Sequence, residues 1–326
     1  MLANYSTPLP WHIPQWQQLY RCHQERRLPH ALLLVGQSGL GKALFATNFA
    51  KTLLCKQPVQ QFACQLCCDC AWVAAGTHPD LCLLATEKSS QGIKIDQIRT
   101  VIEKLNHTSQ AAYKIILINP ADSLLVAASH ALLKSLEEPS ERTLFILLTE
   151  KIEGLLPTIR SRCQVIRFAT PEKSLATAWL AQQLPASTPL DKLHHLSSGA
   201  PLLALTYAQQ NYYLFYTELL ASLAHLFDQK LDPILCAARY VKTDVQQLLS
   251  TLLNVVSELL KCQLLNGYTA IEDALAQLAT CLSTDFLLQY YEGLVLLRAH
   301  TAKITLNLSL MLEDLFARWA IQGKSC

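Results

Sequence analysis

Leu32-Leu-Leu-Val35-Gly36-Gln-Ser-Gly39-Leu-Gly41-Lys42-Ala43 runs from an apolar stretch into a glycine-spaced loop and on into helical periodicity. A strand that passes to a helix through such a loop can cradle a phosphate. Glycines let backbone N–H groups turn inward, the helix N-terminus contributes its positive end, and a lysine meets the outer phosphates. The pattern G-x-x-x-x-G-K is complete from Gly36 to Lys42, so Gly36, Gly39, Gly41 and Lys42 are the candidate nucleotide-binding residues. The next position departs from it. Ala43 stands where a Ser or Thr hydroxyl would hold Mg²⁺, and a methyl group cannot coordinate a metal.

Upstream, residues 11–30 carry Ile13, Trp16, Leu19 and Tyr20 at helical spacing, which predicts an amphipathic helix with those aromatics in the core. Downstream, Leu44, Phe45, Phe49 and Leu53 continue a helix that ends near Cys55. Then Cys55, Cys64, Cys67 and Cys70 place C-x₂-C-x₂-C nine residues beyond a fourth cysteine. Four thiolates suit one tetrahedral structural zinc, and the segment has little apolar surface to order it otherwise. Cys68 is an extra thiol able to replace a neighbour as ligand.

Further along, Asp80-Leu-Cys-Leu-Leu84 reads as a strand after a turn in which His78 is a turn-stabilising residue, and a helix starts at Ile93 and runs to Leu105. Tyr113 to Ile118 is a buried strand. At its end an ATPase would place an acidic pair that orders Mg²⁺ and activates water; here the residues are Asn119-Pro120, and Asp122 falls beyond the strand. A helix from Ser129 to Leu136 and a strand from Thr143 to Thr149 follow, then the turn Leu156-Pro-Thr-Ile-Arg160-Ser161-Arg162-Cys163, whose arginines suit phosphate oxygens. Alternating strands and helices predict an α/β domain with a parallel sheet covered on both faces.

Composition bounds the class. The 326 residues are 51% apolar, enough for two or three domains. Residues 1–167 hold 17 Lys/Arg against 12 Asp/Glu, and residues 168–326 hold 10 against 13, too small a basic excess for strong independent DNA binding. The N-terminus lacks the basic-then-apolar order of a signal peptide, and the apolar stretch 115–133, which has no Lys, Arg or Glu, contains Asn119, Pro120, Asp122 and His130, so neither export nor a membrane span is expected. A cytoplasmic setting makes the twelve cysteines a metal signal rather than a disulfide framework.

Taken together, Arg27-Leu-Pro-His-Ala31, the four-cysteine insertion, Ala75-Gly-Thr-His-Pro-Asp80, Ala131-Leu-Leu-Lys-Ser-Leu-Glu-Glu-Pro139 and Ser161-Arg162-Cys163 resemble the delta-prime subunits of bacterial DNA polymerase III clamp loaders, members of the AAA+ superfamily. The resemblance covers essentially the whole chain. It implies an AAA+ P-loop domain over 1–167 with a structural zinc insertion at 55–70, a small helical lid over 168–208, and an all-α collar for oligomerisation over 209–326. It implies a non-hydrolysing stator that helps load the sliding beta clamp onto primed DNA, with tau/gamma motor subunits and the delta subunit as partners. The chain would be a component of the DNA-directed DNA polymerase holoenzyme, with no ATPase activity of its own. Arg162 would be a trans arginine finger acting on a neighbour's ATP. Hydrolysing relatives place a sensor arginine just after a glycine-containing helix start; Leu202 occupies that position here. ATP binding through Lys42 stays compatible with the loop. Two other readings fit parts of the sequence: an active AAA+ ATPase recruiting Asp122 as its metal acid, and a zinc-dependent nucleic-acid-binding module.

In the remainder, leucine-rich periodicity predicts helices at Tyr213–Phe227, Val245–Leu265, Ile271–Leu282, Phe286–His300 and Leu306–Trp319.

Overall fold

The computed structural model describes residues 7–86, 92–105, 112–265, 268, 272–301 and 307–322. By contact pattern the chain divides into a unit of residues 1–185 with 197–205, and a unit of residues 186–196 with 206–326.

The first unit is built on a five-stranded sheet of β1 (Ala31–Val35), β2 (Leu81–Leu84), β3 (Lys114–Ile118), β4 (Thr143–Thr149) and β5 (Gln164–Arg167). The order is β2-β3-β4-β1-β5, and every pairing is parallel. The uninterrupted apolar runs of β1 and β4 make them the central pair, in register from Ala31 with Phe145 to Val35 with Thr149, and every residue of both strands is buried. Side chains alternate between faces. Leu32, Leu34, Ile146 and Leu148 join one core with α1 (Ile13–Gln24) and α2 (Lys42–Leu54), while Leu33, Phe145 and Leu147 join another with α4 (Ile95–Leu105) and α5 (Val126–Glu137). The expected architecture, an α/β domain with a parallel sheet and a glycine loop, followed in the chain by an all-α region, is the one observed.

Several expectations shift. The first helix ends at Gln24 rather than residue 30, and it starts after a 3₁₀ turn at Pro10–His12. Trp16 and Leu19 are buried as expected, but Ile13, the first helical residue, lies on the solvent side. α5 begins three residues before Ser129. The fifth strand, β5, is too short and polar to stand out in the sequence; it is an edge strand with one fully buried side chain, Ile166.

The second unit is helical: α8 (Leu190–Leu196), α10 (Tyr212–Phe227), α11 (Pro233–Tyr240), α12 (Val245–Leu264), α13 (Asp273–Cys281), α14 (Thr284–Thr301) and α15 (Leu308–Gln322). α7 (Lys173–Gln183) belongs to the first unit, and α9 (Pro201–Gln209) crosses the division, so segments of the expected lid fall in both units. In α12, Leu248, Leu249, Leu252, Val255, Val256 and Leu259 form the buried stripe that the periodicity predicts. α11 was absent from the expectation. It is only eight residues long, and its start is fixed locally by Asp232, whose carboxylate accepts from the amides of Ile234 and Leu235, with Pro233 as its first residue. Ile271 and Leu306, expected helix starts, lie outside the described residues.

Candidate functional site

The glycine loop lies where β1 meets α2. Gly39 (φ +75°) and Gly41 (φ +94°) occupy left-handed backbone that side chains resist, which is why the motif's glycines are needed there. The lysine turns back on its own loop. Lys42 Nζ donates to the carbonyls of Gly36 (2.5 Å) and Gln37 (2.9 Å) and is buried. Burial pulls its pKa down, against the raising influence of Glu150 and Asp122. The loop is also tied to the start of α9: Leu202 N donates to Gly39 O (3.0 Å), and Gln37 Nε2 donates to Ser198 O (3.0 Å). Leu202, which the resemblance places where hydrolysing relatives would carry a sensor arginine, is a buried apolar residue whose amide fastens the loop. Ala43 is exposed at the first turn of α2 and offers no metal ligand.

One neighbour of this loop was not singled out from the sequence. His12 is 1% exposed and meets the rings of Phe45 and Phe168 edge-on. Its Cε1 would lie 3.1 Å from a side chain added at Gly41. Burial pushes this imidazole down to about 4. A lone histidine in an aromatic segment gives no sequence signal of such a setting.

At the C-terminal edge of the sheet, β3 ends before Asn119-Pro120, and Asp122 lies on a 3₁₀ turn beyond it. The Asp122 carboxylate accepts a hydrogen bond from Thr149 Oγ1 (2.9 Å), at the end of β4. The only carboxylates that influence Lys42 are Glu150 and Asp122 among the described residues, and neither occupies the end of β3 where the acidic pair is expected.

The arginine turn is α6 (Pro157–Arg160) and the residues after it. Ile159 and Cys163 are buried beneath it, and burial raises the Cys163 thiol to about 12, which suits packing rather than nucleophilic chemistry. Above them, Arg162 Nη1 donates to Thr158 O (2.8 Å) and Ser161 Oγ (3.4 Å), while Nη2 pairs with Glu137 Oε1 (2.6 Å). The Arg162 side chain keeps one third of its surface in solvent.

Between α2 and α3 (Cys68–Ala75), Cys55, Cys64, Cys67 and Cys70 bring their four sulfurs within 4.8 Å of one another. The Cys55–Cys67 and Cys64–Cys70 sulfur pairs are each 3.9 Å apart. A tetrahedral thiolate centre with metal–sulfur bonds of about 2.3 Å has edges of about 3.8 Å, so the donor set fits a metal. Amides serve the sulfurs as well: Cys64 N donates to Cys55 Sγ and Cys67 N to Cys64 Sγ. The amides of Leu66 and Cys67 pull the Cys64 thiol down to about 6, the direction that favours a thiolate ligand, while burial pushes the Cys55 and Cys70 thiols up. Cys68 stands apart, facing Lys56 Nζ and the carboxylate of Asp69. His78 holds the following turn as expected, its Nδ1 accepting from Asp80 N, and its Nε2 also lies 3.4 Å from the buried Asp69 carboxylate.

Residues 11–172 match the family model described as "DNA polymerase III, delta subunit". The DNA polymerase III subunit delta' of Pseudomonas aeruginosa is 40% identical over 60% of this chain and 60% of its own length. That of Escherichia coli is 38% identical over 61% and 60%. These two alignments therefore span less than two thirds of the relatives. The protein of the same name from Yersinia pestis is 31% identical over 95% of this chain and 94% of its own length. With the cysteine cluster, glycine loop and Ser-Arg-Cys turn assembled on one parallel sheet, and with this end-to-end likeness, the chain belongs to the DNA polymerase III delta-prime subunit family.

Proposed function

We propose that the chain is a non-hydrolysing clamp-loader subunit, a stator that supplies Arg162 to the nucleotide site of a neighbouring motor subunit. The carrying observation is the contrast between its two phosphate-directed elements. In the glycine loop the lysine is spent on its own carbonyls, and Ala43, Asn119 and Leu202 stand where hydroxyl, acid and sensor arginine would act. In the Ser-Arg-Cys turn the guanidinium is ordered yet accessible. An arginine offered in trans stabilises charge on phosphoryl oxygens as water attacks the terminal phosphorus and ADP leaves; in GTPases this is worth about 10³–10⁵ in rate.

In this reading Cys55, Cys64, Cys67 and Cys70 hold a structural zinc with no open ligand position, and any ATP bound through Gly36, Gly39, Gly41 and Lys42 stays unhydrolysed. Residues 209–326 form the collar, and the tau/gamma and delta subunits are partners, with the sliding clamp and primed DNA engaged through the complex. The setting is cytoplasmic; no described helix is long and apolar enough to cross a membrane.

The test is ATP turnover. The zinc-loaded chain alone shows none, and in a complex reconstituted with this chain Arg162→Ala lowers turnover at least about tenfold while Lys42→Ala leaves it within about twofold. Equal turnover by wild type and Arg162→Ala, with assembly intact, removes the finger; turnover by the chain alone that Lys42→Ala abolishes makes it a motor.

A further inference from the structure

We infer that Glu137 is the positioning residue of Arg162, an inference that rests on Arg162 acting as the trans finger. The carboxylate lies 2.6 Å from Nη2. Glu137 is the last residue of α5, where the helix presents unsatisfied carbonyls and the negative end of its dipole. A carboxylate is unfavourable there by itself, and the guanidinium opposite supplies the compensating charge. The two partners are also placed by rigid supports. Leu136, next to Glu137, and Ile159 and Cys163, on either side of the arginine turn, are buried in one core.

The contacts of Arg162 divide the guanidinium. Nη1 serves Thr158 O and Ser161 Oγ, and Nη2 serves Glu137. Nε–H and the second Nη2–H carry none of these bonds, and a guanidinium presents such N–H pairs in a fixed fork that matches phosphate oxygens. Thr158 and Ser161 lie on the same turn as Arg162 and hold one end of the group; Glu137, from another element, holds the other. With both ends held the plane of the fork is set before a nucleotide arrives, and less rotamer freedom is lost when it binds. Without Glu137 the guanidinium pivots about its Thr158 contact.

The experiment is steady-state ATP turnover by the reconstituted complex carrying Glu137→Ala, Glu137→Gln, Arg162→Ala, or Arg162→Ala with Glu137→Ala. Subunit co-elution and zinc content are measured for each. Positioning predicts that Glu137→Ala lowers kcat about fivefold with KM for ATP unchanged, as expected for an ordering contact at a partly exposed pair. Glu137→Gln, which keeps the acceptor oxygen, restores at least half of the loss. The double variant equals Arg162→Ala alone. If Arg162→Ala lowers turnover but Glu137→Ala matches or exceeds wild type, the positioning role is overturned and the finger stands. Additive losses in the double variant overturn it too, since Glu137 then acts without Arg162. No effect of Arg162→Ala removes the finger and this inference together.

Discussion

Two loops of the first unit carry residue patterns suited to ligands, and opposite kinds of contact support them. The glycine loop, 36–41, needs none to stay ordered: Leu40 is buried in the main core, Lys42 bonds the loop carbonyls from within, and Leu202 and Ser198 fasten it from outside. Apart from Phe62, which packs on the main core against Trp16, the cysteine insertion has almost no apolar support. Its core is Cys55, Ala63 and Cys70, with Cys64 and Cys67 against them, while Val59 and Leu66 point to solvent. A glycine loop packed this way holds its shape without a ligand; a loop made of thiols has little packing of its own, and a metal ion joining its sulfurs would supply what packing does not.

The largest break in this comparison comes from metal removal. Structural zinc supplies about 10–16 kcal/mol in small peptides. Stripping the chain with a chelator should release roughly one metal per chain, and amides of residues 55–70 should lose hydrogen-exchange protection while those of β1 and α2 keep theirs. Protection that survives metal loss would place the insertion in the same class as the glycine loop.

Next in size is Gly39→Ala. Its Cβ would sit 2.4 Å from Leu203 Cβ and 2.8 Å from Leu203 N, on backbone at φ +75°. Strain and overlap together should cost about 3 kcal/mol, read as a lowered midpoint in urea unfolding. A neutral outcome would mean the loop is looser than its contacts imply.

A smaller effect comes from His12. Its folded pKa of about 4 lies below the ordinary 6.5, so the unfolded chain takes up the proton first. Stability is undiminished above about pH 6.5 and falls as pH drops from there to about 4, by up to about 3 kcal/mol. His12→Leu should flatten that slope in urea titrations across this window, without altering metal content. A slope that remains would move the titrating group elsewhere.

Much of this was legible in the chain itself. β4 has the expected limits, Thr143 to Thr149, because a continuous apolar run bounded by polar residues admits one assignment. α12 likewise follows its periodicity within a residue of its end. The four metal-set cysteines were legible through spacing alone, and the structure separates Cys68 from them, since at the start of a helix it projects toward Lys56 instead. β5 and α11 were not legible: each is short, and each is defined by its neighbours, β5 by pairing with β1 and α11 by its cap and packing.

The sequence by itself determined which chemistry is present: a glycine loop with lysine but no metal hydroxyl, no acidic pair after β3, a thiol set with ligand spacing, and an arginine in a compact turn. These follow from residue type and local spacing, which do not depend on distant contacts. Only the tertiary structure decided how that chemistry is deployed. It turned Lys42 onto its own loop, buried His12 among aromatic rings, and set Glu137, 25 positions before Arg162, against its guanidinium. Those outcomes depend on which faces meet when the sheet and helices pack, and side-chain charge is expensive to leave unpartnered where they do.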